Sequence, residues 1–195
     1  MRKIVVLVVA LMALAFTSKE GVLIKKTNVL VSSESTLSVS GTSNVNKFKC
    51  VYNTEKLQKS IPIQYHTSHD KIVFKKADLI LDNTFFHCGG RAINHDFQKI
   101  LKTPEHPHVN LILKEIHSLH GNQVNAEIDI EIAGVTKTYN MPVLVKNNEG
   151  FHITGDLDLK LSDFNLNAPK KLFGLIVIDN DIEIDFNLVV KEVKN

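Results

Sequence analysis

Apolar and polar residues alternate with period two along most of the chain, a pattern that predicts β-strands. Leu37 and Val39 alternate with small polar residues, and after Gly41-Thr42-Ser43 the residues Phe48, Cys50 and Tyr52 again send every second side chain one way. The pattern recurs at Ile61, Ile63 and Tyr65, at Ile72 and Phe74, and in the Asp78 to Asp82 run, with polar turn clusters such as Thr67-Ser68-His69-Asp70 between them. It is clearest beyond Pro107. There Val109, Leu111 and Leu113 alternate, and Val124, Ala126, Ile128, Ile130 and Ile132 oppose Asn125, Glu127, Asp129 and Glu131. After Gly134 come Tyr139, Met141, Val143 and Val145, then Phe151, Ile153, Leu157, Leu159 and Leu161, and finally Ile182, Ile184, Phe186, Leu188 and Val190. Each run assigns one face to a core and one to water.

One segment breaks the rule. From Ala92 to Lys102, Ile93, Phe97, Ile100 and Leu101 fall at helical spacing with Pro104 as a stop, which predicts a short amphipathic helix. The mixed stretch before Ser35 reads as a lead-in with one short strand. About eight strands and one helix follow. So short a helix cannot cover a sheet of that size, and the apolar faces must bury one another in a closed barrel or a two-sheet sandwich. Strands joined in sequence by short turns favour an all-β, up-and-down, eight-stranded antiparallel barrel. Its interior is wide enough either to pack solid or to hold one small ligand.

The first residues change the picture of where this barrel works. Arg2 and Lys3 precede an apolar run from Ile4 to Phe16, with Ala13-Leu14-Ala15 at its end, the layout of a secretory signal peptide. The run is too short for a comfortable span, which needs about 20 residues. The expectation is a signal peptide over residues 1–15, a single barrel domain over 16–195, and a periplasmic or secreted protein. Loss of Arg2 and Lys3 from 23 basic residues leaves 21 against 21 acidic ones. A mature net charge of zero, without a basic stripe, argues against nucleic acid as a partner. Cys50 and Cys88 are then expected to pair, with free core thiols as the alternative. Leu144 and Val189 are apolar on otherwise outward faces and raise a homodimer interface, although isolated residues of this kind usually carry no meaning.

Candidate chemistry is sparse. Of nine histidines, His106-Pro107-His108 with Glu105 is the sharpest grouping, but no third ligand stands at metal spacing, and no metal or cofactor is expected. A nucleophile elbow and a glycine-rich phosphate loop are both missing from the sequence. Pairs such as Asp156 and Asp158 alternate with apolar residues and read as solvated faces. The expectation is that the protein is not an enzyme.

Four segments carry a resemblance. LSVSGTSNVNKFKC from Leu37 to Cys50, IEIAGVTKTYNMPVLV from Ile130, with Gly134, Val135, Thr136 and Lys137 in its hairpin, the stretch from Gly155 through LDLKLSDFNL, and the Ile182 to Leu188 strand are similar, in order, to the YceI-like family of exported lipid-binding barrels. Two features depart from the family: Thr138 stands where many members have Pro, and Cys88-Gly89-Gly90-Arg91 stands where many have an Arg-Asp pair. The second resembles a branch with paired cysteines. The resemblance implies a lipocalin-like barrel with an elongated apolar tunnel for a polyisoprenoid or other long-chain lipid. With the alternation, it implies a ligand-lining set of Phe48, Phe74, Ile128, Ile130, Tyr139, Met141, Leu157, Leu159, Ile184 and Phe186, and a polar ligand end near Tyr139 or Lys137. A barrel filled by its own side chains, acting as a structural or interaction module, is the competing reading.

Overall fold

The computed structural model describes residues 23–118, 121–167, 170–171 and 176–193. The expected signal peptide, residues 1–15, lies outside them. Thirteen strands form one antiparallel system: β1 (Lys25–Val31), β2 (Thr36–Ser43), β3 (Lys47–Tyr52), β4 (Ile61–Ser68), β5 (Lys71–Lys76), β6 (Asp78–Asp82), β7 (Phe86–His87), β8 (His108–His117), β9 (Gln123–Ile132), β10 (Val135–Asn147), β11 (Phe151–Lys160), β12 (Lys170–Lys171) and β13 (Ile176–Val193). The α-helix among the described residues is α1 (Arg91–Ile100), one residue earlier at its start and two shorter at its end than its periodicity predicts. The order β1-β4-β5-β8-β9-β10-β11-β13 closes on itself because β1 also pairs with β13, giving a ring of eight strands.

The higher strand count has a simple origin. β13 is 18 residues long and carries two shorter strands along one edge, β2 against Ile178 to Asn187 and β1 against Val190 to Val193. The mixed lead-in is thus the strand that closes the barrel. Likewise β5 and β6 both pair with β8, before and after Ala77. In β8 a bulge between Leu113 and Glu115 resets the alternation, so that Leu113 and Ile116 both face inward, beside Ile128 and Ala126. Two-residue hairpin turns hold the register. Ala133 and Gly134, joining β9 to β10, both have positive φ (50° and 78°), and the His106 ring lies 2.7 Å from where a Cβ on Gly134 would stand.

Beyond β2 the sheet leaves the ring through β3 and β7, and α1 follows. Ile93, Phe97 and Ile100 pack onto the core, and the rings of Phe86 and Phe97 lie 5.0 Å apart. A large apolar cluster including Ile130, Leu159, Ile182 and Phe164 fills this helix end of the barrel. A smaller one, Val124, Ala126, Met141 and Val143, lies toward the opposite, turn end. Val189 is not an outward surface residue: it is buried where the chain passes from β1 to β2, with Ser32 N donating to its carbonyl and its own N–H donating to Ser35 Oγ. Leu144 is exposed on the outer face.

Candidate functional site: the barrel lumen and its wall

The inward set divides into two kinds. Ile130, Leu159 and Met141 are 1%, 5% and 5% exposed and belong to the packed clusters. Ile128, Leu157, Ile184 and Phe186 also face inward, yet they are only partly buried, Phe186 where it also borders an open groove beside β10, β11 and β13. Ile128, Leu157 and Phe186 touch both clusters and so mark the space between them. Protein interiors pack to crystal-like density, so inward residues that keep contact with water indicate a wall that its own side chains do not fill.

The remaining members lie at the two ends. Phe74 pairs with Tyr65 at a ring separation of 6.0 Å, near the turn end and outside both clusters. Phe48, on β3, covers Gly41 and Ile182 off the ring, at the helix end. An added Cβ on Gly41 would meet its ring at 2.5 Å, so that glycine is there for Phe48 to lie flat on the sheet.

Tyr139 does not stand at a mouth. Its ring stacks on the fully buried Phe164 at 6.3 Å, and its hydroxyl donates to Asp163 Oδ2 at 3.4 Å. Burial, and then the Asp163 charge, push its pKa up to about 12. The sign follows directly. The folded pKa lies above the ordinary 10.0, so the neutral phenol's contribution to stability is whole below pH 10 and is lost as pH climbs toward 12. Denaturant midpoints measured below pH 10 and near pH 12 should therefore fall further apart in the natural protein than in Tyr139→Phe. Equal differences would contradict this environment for Tyr139. Lys137 lies within β10 rather than in a loop.

The strand pairing of the ring lapses between β10 and β11. β10 and β11 are 13 and 10 residues long but pair only over Leu144–Asn147 against Thr154–Phe151. Pro142, two residues below the last pair, has no N–H to continue that ladder. Below the divergence the 3-10 turn Leu161–Phe164 sits between the strands, carrying Asp163 and Phe164 to Tyr139. An open cavity of about 630 Å³ meets this fork on the barrel's outer face. Its walls include Pro142 and Leu144 of β10, Thr154 and Asp156 of β11, Asp185 and Asn187 of β13, and Lys49 and Val51 of β3. Leu37, Val143 and Phe186, whose side chains face inward, also border it, as does Gly155. The sequence carried two traces of this fork, a proline inside a strand pattern and a glycine interrupting the apolar face of β11.

His106 is committed to packing on Gly134, and no group of three His, Cys, Asp or Glu among the described residues could hold an ion. On the outer face, Glu115 accepts from Lys71 Nζ at 2.8 Å and lies 3.1 Å from His117 Nε2. The Lys71 hydrogen bond holds its carboxyl below the usual range.

A model of the YceI-like domain matches residues 29–190. The chain belongs to the YceI-like family. Solved structures similar to this YceI-like barrel include BcnA of Burkholderia cenocepacia, 20% identical, with 82% of this chain and 98% of that chain covered and a TM-score of 0.62. A polyisoprenoid binding domain from Saccharophagus degradans, implicated in plant cell wall breakdown, is 14% identical over 87% of this chain and all of that one, with a TM-score of 0.66. The YceI protein of Campylobacter jejuni is 17% identical, covers 63% of this chain and 74% of its own, and has a TM-score of 0.51. Identities this low establish the shared fold. Comparison with curated protein sequences gives no match.

Proposed function

We propose that this YceI-like barrel binds a long apolar molecule, a polyisoprenoid or a similar lipid, and shields it from water in the periplasm or outside the cell, without catalysing a reaction. The observation that carries the reading is the belt of inward apolar residues, Ile128, Leu157, Ile184 and Phe186, that the protein leaves partly accessible between two packed clusters. An apolar chain laid along that belt gains roughly 25 cal/mol per Å² of surface removed from water. Carrying an insoluble molecule needs little beyond such shielding, so no catalytic group is required. The polyisoprenoid binding of the Saccharophagus degradans domain supports the choice of ligand class.

Full burial of Ile130, Leu159 and Phe164 at the helix end, and of Val124, Ala126, Met141 and Val143 toward the turn end, favours the competing, self-packed barrel at both places, which leaves the ligand the belt between them. Titrating the purified protein with a long polyprenol should give saturable binding with one molecule per chain. Absence of binding by polyprenols, quinones and long acyl compounds alike would sink the proposal. Export rests on the Arg2-Lys3 head and the Ala13-Leu14-Ala15 site, and intact mass should show a mature chain beginning near Phe16. A secreted species that keeps Met1 would contradict it.

A further inference from the structure

We infer that the outer face formed by β3, β2, β13, β11 and β10 is a docking surface for an extended, basic segment of a partner protein, which sets an arginine side chain over opposed carboxylates and an apolar side chain on Leu144 or Val51. The surface lies outside the barrel, and the inference holds whatever the lumen carries.

The outward pairs of the β11–β13 ladder carry a conflict. In order they are Thr154 with Asn187, Asp156 with Asp185, Asp158 with Glu183, and Lys160 with Asp181. The last is an ion pair at 3.9 Å. The two middle pairs set carboxylate against carboxylate, with Cβ atoms about 5 Å apart, an arrangement that destabilises a sheet. All four side chains are exposed, and Asp185 has Lys49 at 3.6 Å. Asp156, Asp158 and Glu183 have neither an ion pair nor a hydrogen bond among the described residues. The neighbouring strand β2 brings no cation, since Ser38 stands opposite Asp185 and Ser40 opposite Glu183. A local conflict that a folded chain retains points to a use.

A groove lies over the first of these pairs. The open cavity of about 630 Å³ takes in Asp156 and Asp185 together with Pro142, Leu144 and Val51, and a second cavity of about 480 Å³ shares Lys49 and Val51 with it and continues to His87 and Gly89. Ser38 and Gly155, both small, lie between Leu144 on β10 and Val51 on β3, which are exposed on opposite banks. Ser38 is 5% exposed and faces outward between Asp185 and Val51, yet its hydroxyl has no partner among the described residues. A buried hydroxyl without a partner costs free energy that an incoming backbone amide or carbonyl recovers.

Charge and shape together select the occupant. Two carboxylates at strand spacing suit the forked donors of a guanidinium, which is also weakly hydrated and can lie beside apolar groups. Anionic partners are repelled here. A metal ion does not fit, because no group of three acids or histidines among the described residues could hold one. A small polyamine would leave Leu144 and Val51 uncovered. In an extended segment, side chains two residues apart point the same way at a distance of about 7 Å, so one can meet Asp156 and Asp185 while the next covers Leu144 or Val51.

The probe is a fluorescent peptide, Leu-Ser-Arg-Ser-Leu-Ser-Arg, compared with the same peptide carrying uncharged citrulline for arginine, and with spermine. It is titrated into the natural protein, Asp156→Asn with Asp158→Asn, and Asp70→Asn in the β4–β5 turn, four strands away around the ring. The natural protein should bind the arginine peptide saturably and prefer it to the citrulline peptide by about tenfold or more, as expected for charges several Å apart in a watery dielectric. The groove variant should lose about tenfold in affinity for the arginine peptide yet unfold at the same or a higher temperature, because no partner is lost and opposed charges are relieved. Asp70→Asn should bind as the natural protein does. Absence of binding, equal affinity for the citrulline peptide, or an equal loss in Asp70→Asn would overturn the inference. Spermine binding as tightly as the peptide would overturn it in favour of a small cation, and a groove variant that unfolds at a lower temperature would overturn it by showing that these carboxylates serve the fold.

Discussion

Removing the Cys50–Cys88 bridge, as Cys50→Ala with Cys88→Ala, is expected to lower stability by roughly 4 kcal/mol. Sulfur joins two residues 38 apart in sequence, with Cα atoms 3.9 Å apart, at sites that are 0% and 7% exposed. On the chain-entropy model a loop of that length, once opened, returns about 4 kcal/mol of freedom to the unfolded chain. That is a large share of the about 5–15 kcal/mol by which domains are stable. The bridge matters locally as well. Gly90 begins α1 without a side-chain cap, so the helix start depends on its surroundings. Those are the bridge, which ties Cys88 to β3, and Asn94, whose Oδ1 accepts from Cys88 N at 2.7 Å and whose Nδ2 meets His87 Nδ1 at 3.1 Å. Urea unfolding with and without the bridge should show the midpoint falling. Coincident midpoints would mean that packing of Ile93, Phe97 and Ile100 holds the helix end unaided.

Leu157→Glu should cost polyprenol affinity at least a hundredfold while the ligand-free protein remains folded. Leu157 lies between the two apolar clusters and is only partly buried, so in an unfilled barrel its carboxylate can keep water. An apolar chain laid over it must strip that water away. Desolvating an unpaired charge costs several kcal/mol, and each 1.4 kcal/mol is about a factor of ten in affinity. In a self-packed barrel the same change would leave the charge buried in the folded state and destabilise the ligand-free protein by a similar amount. Stability without ligand and affinity for it therefore separate the two readings. Met141→Arg would not, because Met141 is fully packed among Val124, Ala126 and Val143 and its replacement would damage the fold directly.

The faces of β9, β10, β11 and β13 were legible because one side of each meets water and the other a core, and alternation records that contrast residue by residue. β1 was legible only as a lead-in. Thr27 and Asn28 blur its pattern, and its place as the closing strand comes from pairing with β4 on one side and β13 on the other, which no local signal encodes. Val189 misled for a related reason: its position in the alternation is outward, but a turn from a distant part of the chain accompanies it there. Within the lumen, sequence could not divide Ile130 from Ile128. Both are inward isoleucines on one strand, and whether such a residue packs or lines a space depends on what stands opposite. The fork was invisible as a fork, since Pro142 and Gly155 acquire their meaning only when β10 and β11 are brought side by side.

The central claim is that the barrel carries an apolar chain, and it is tested most directly by organic extraction and mass spectrometry of protein purified from its native compartment without detergent. The account predicts a long-chain apolar lipid recovered at close to one molecule per chain and absent from the Leu157→Glu variant. Recovery of no apolar compound from the natural protein, together with no uptake of polyprenol added afterwards, would contradict it.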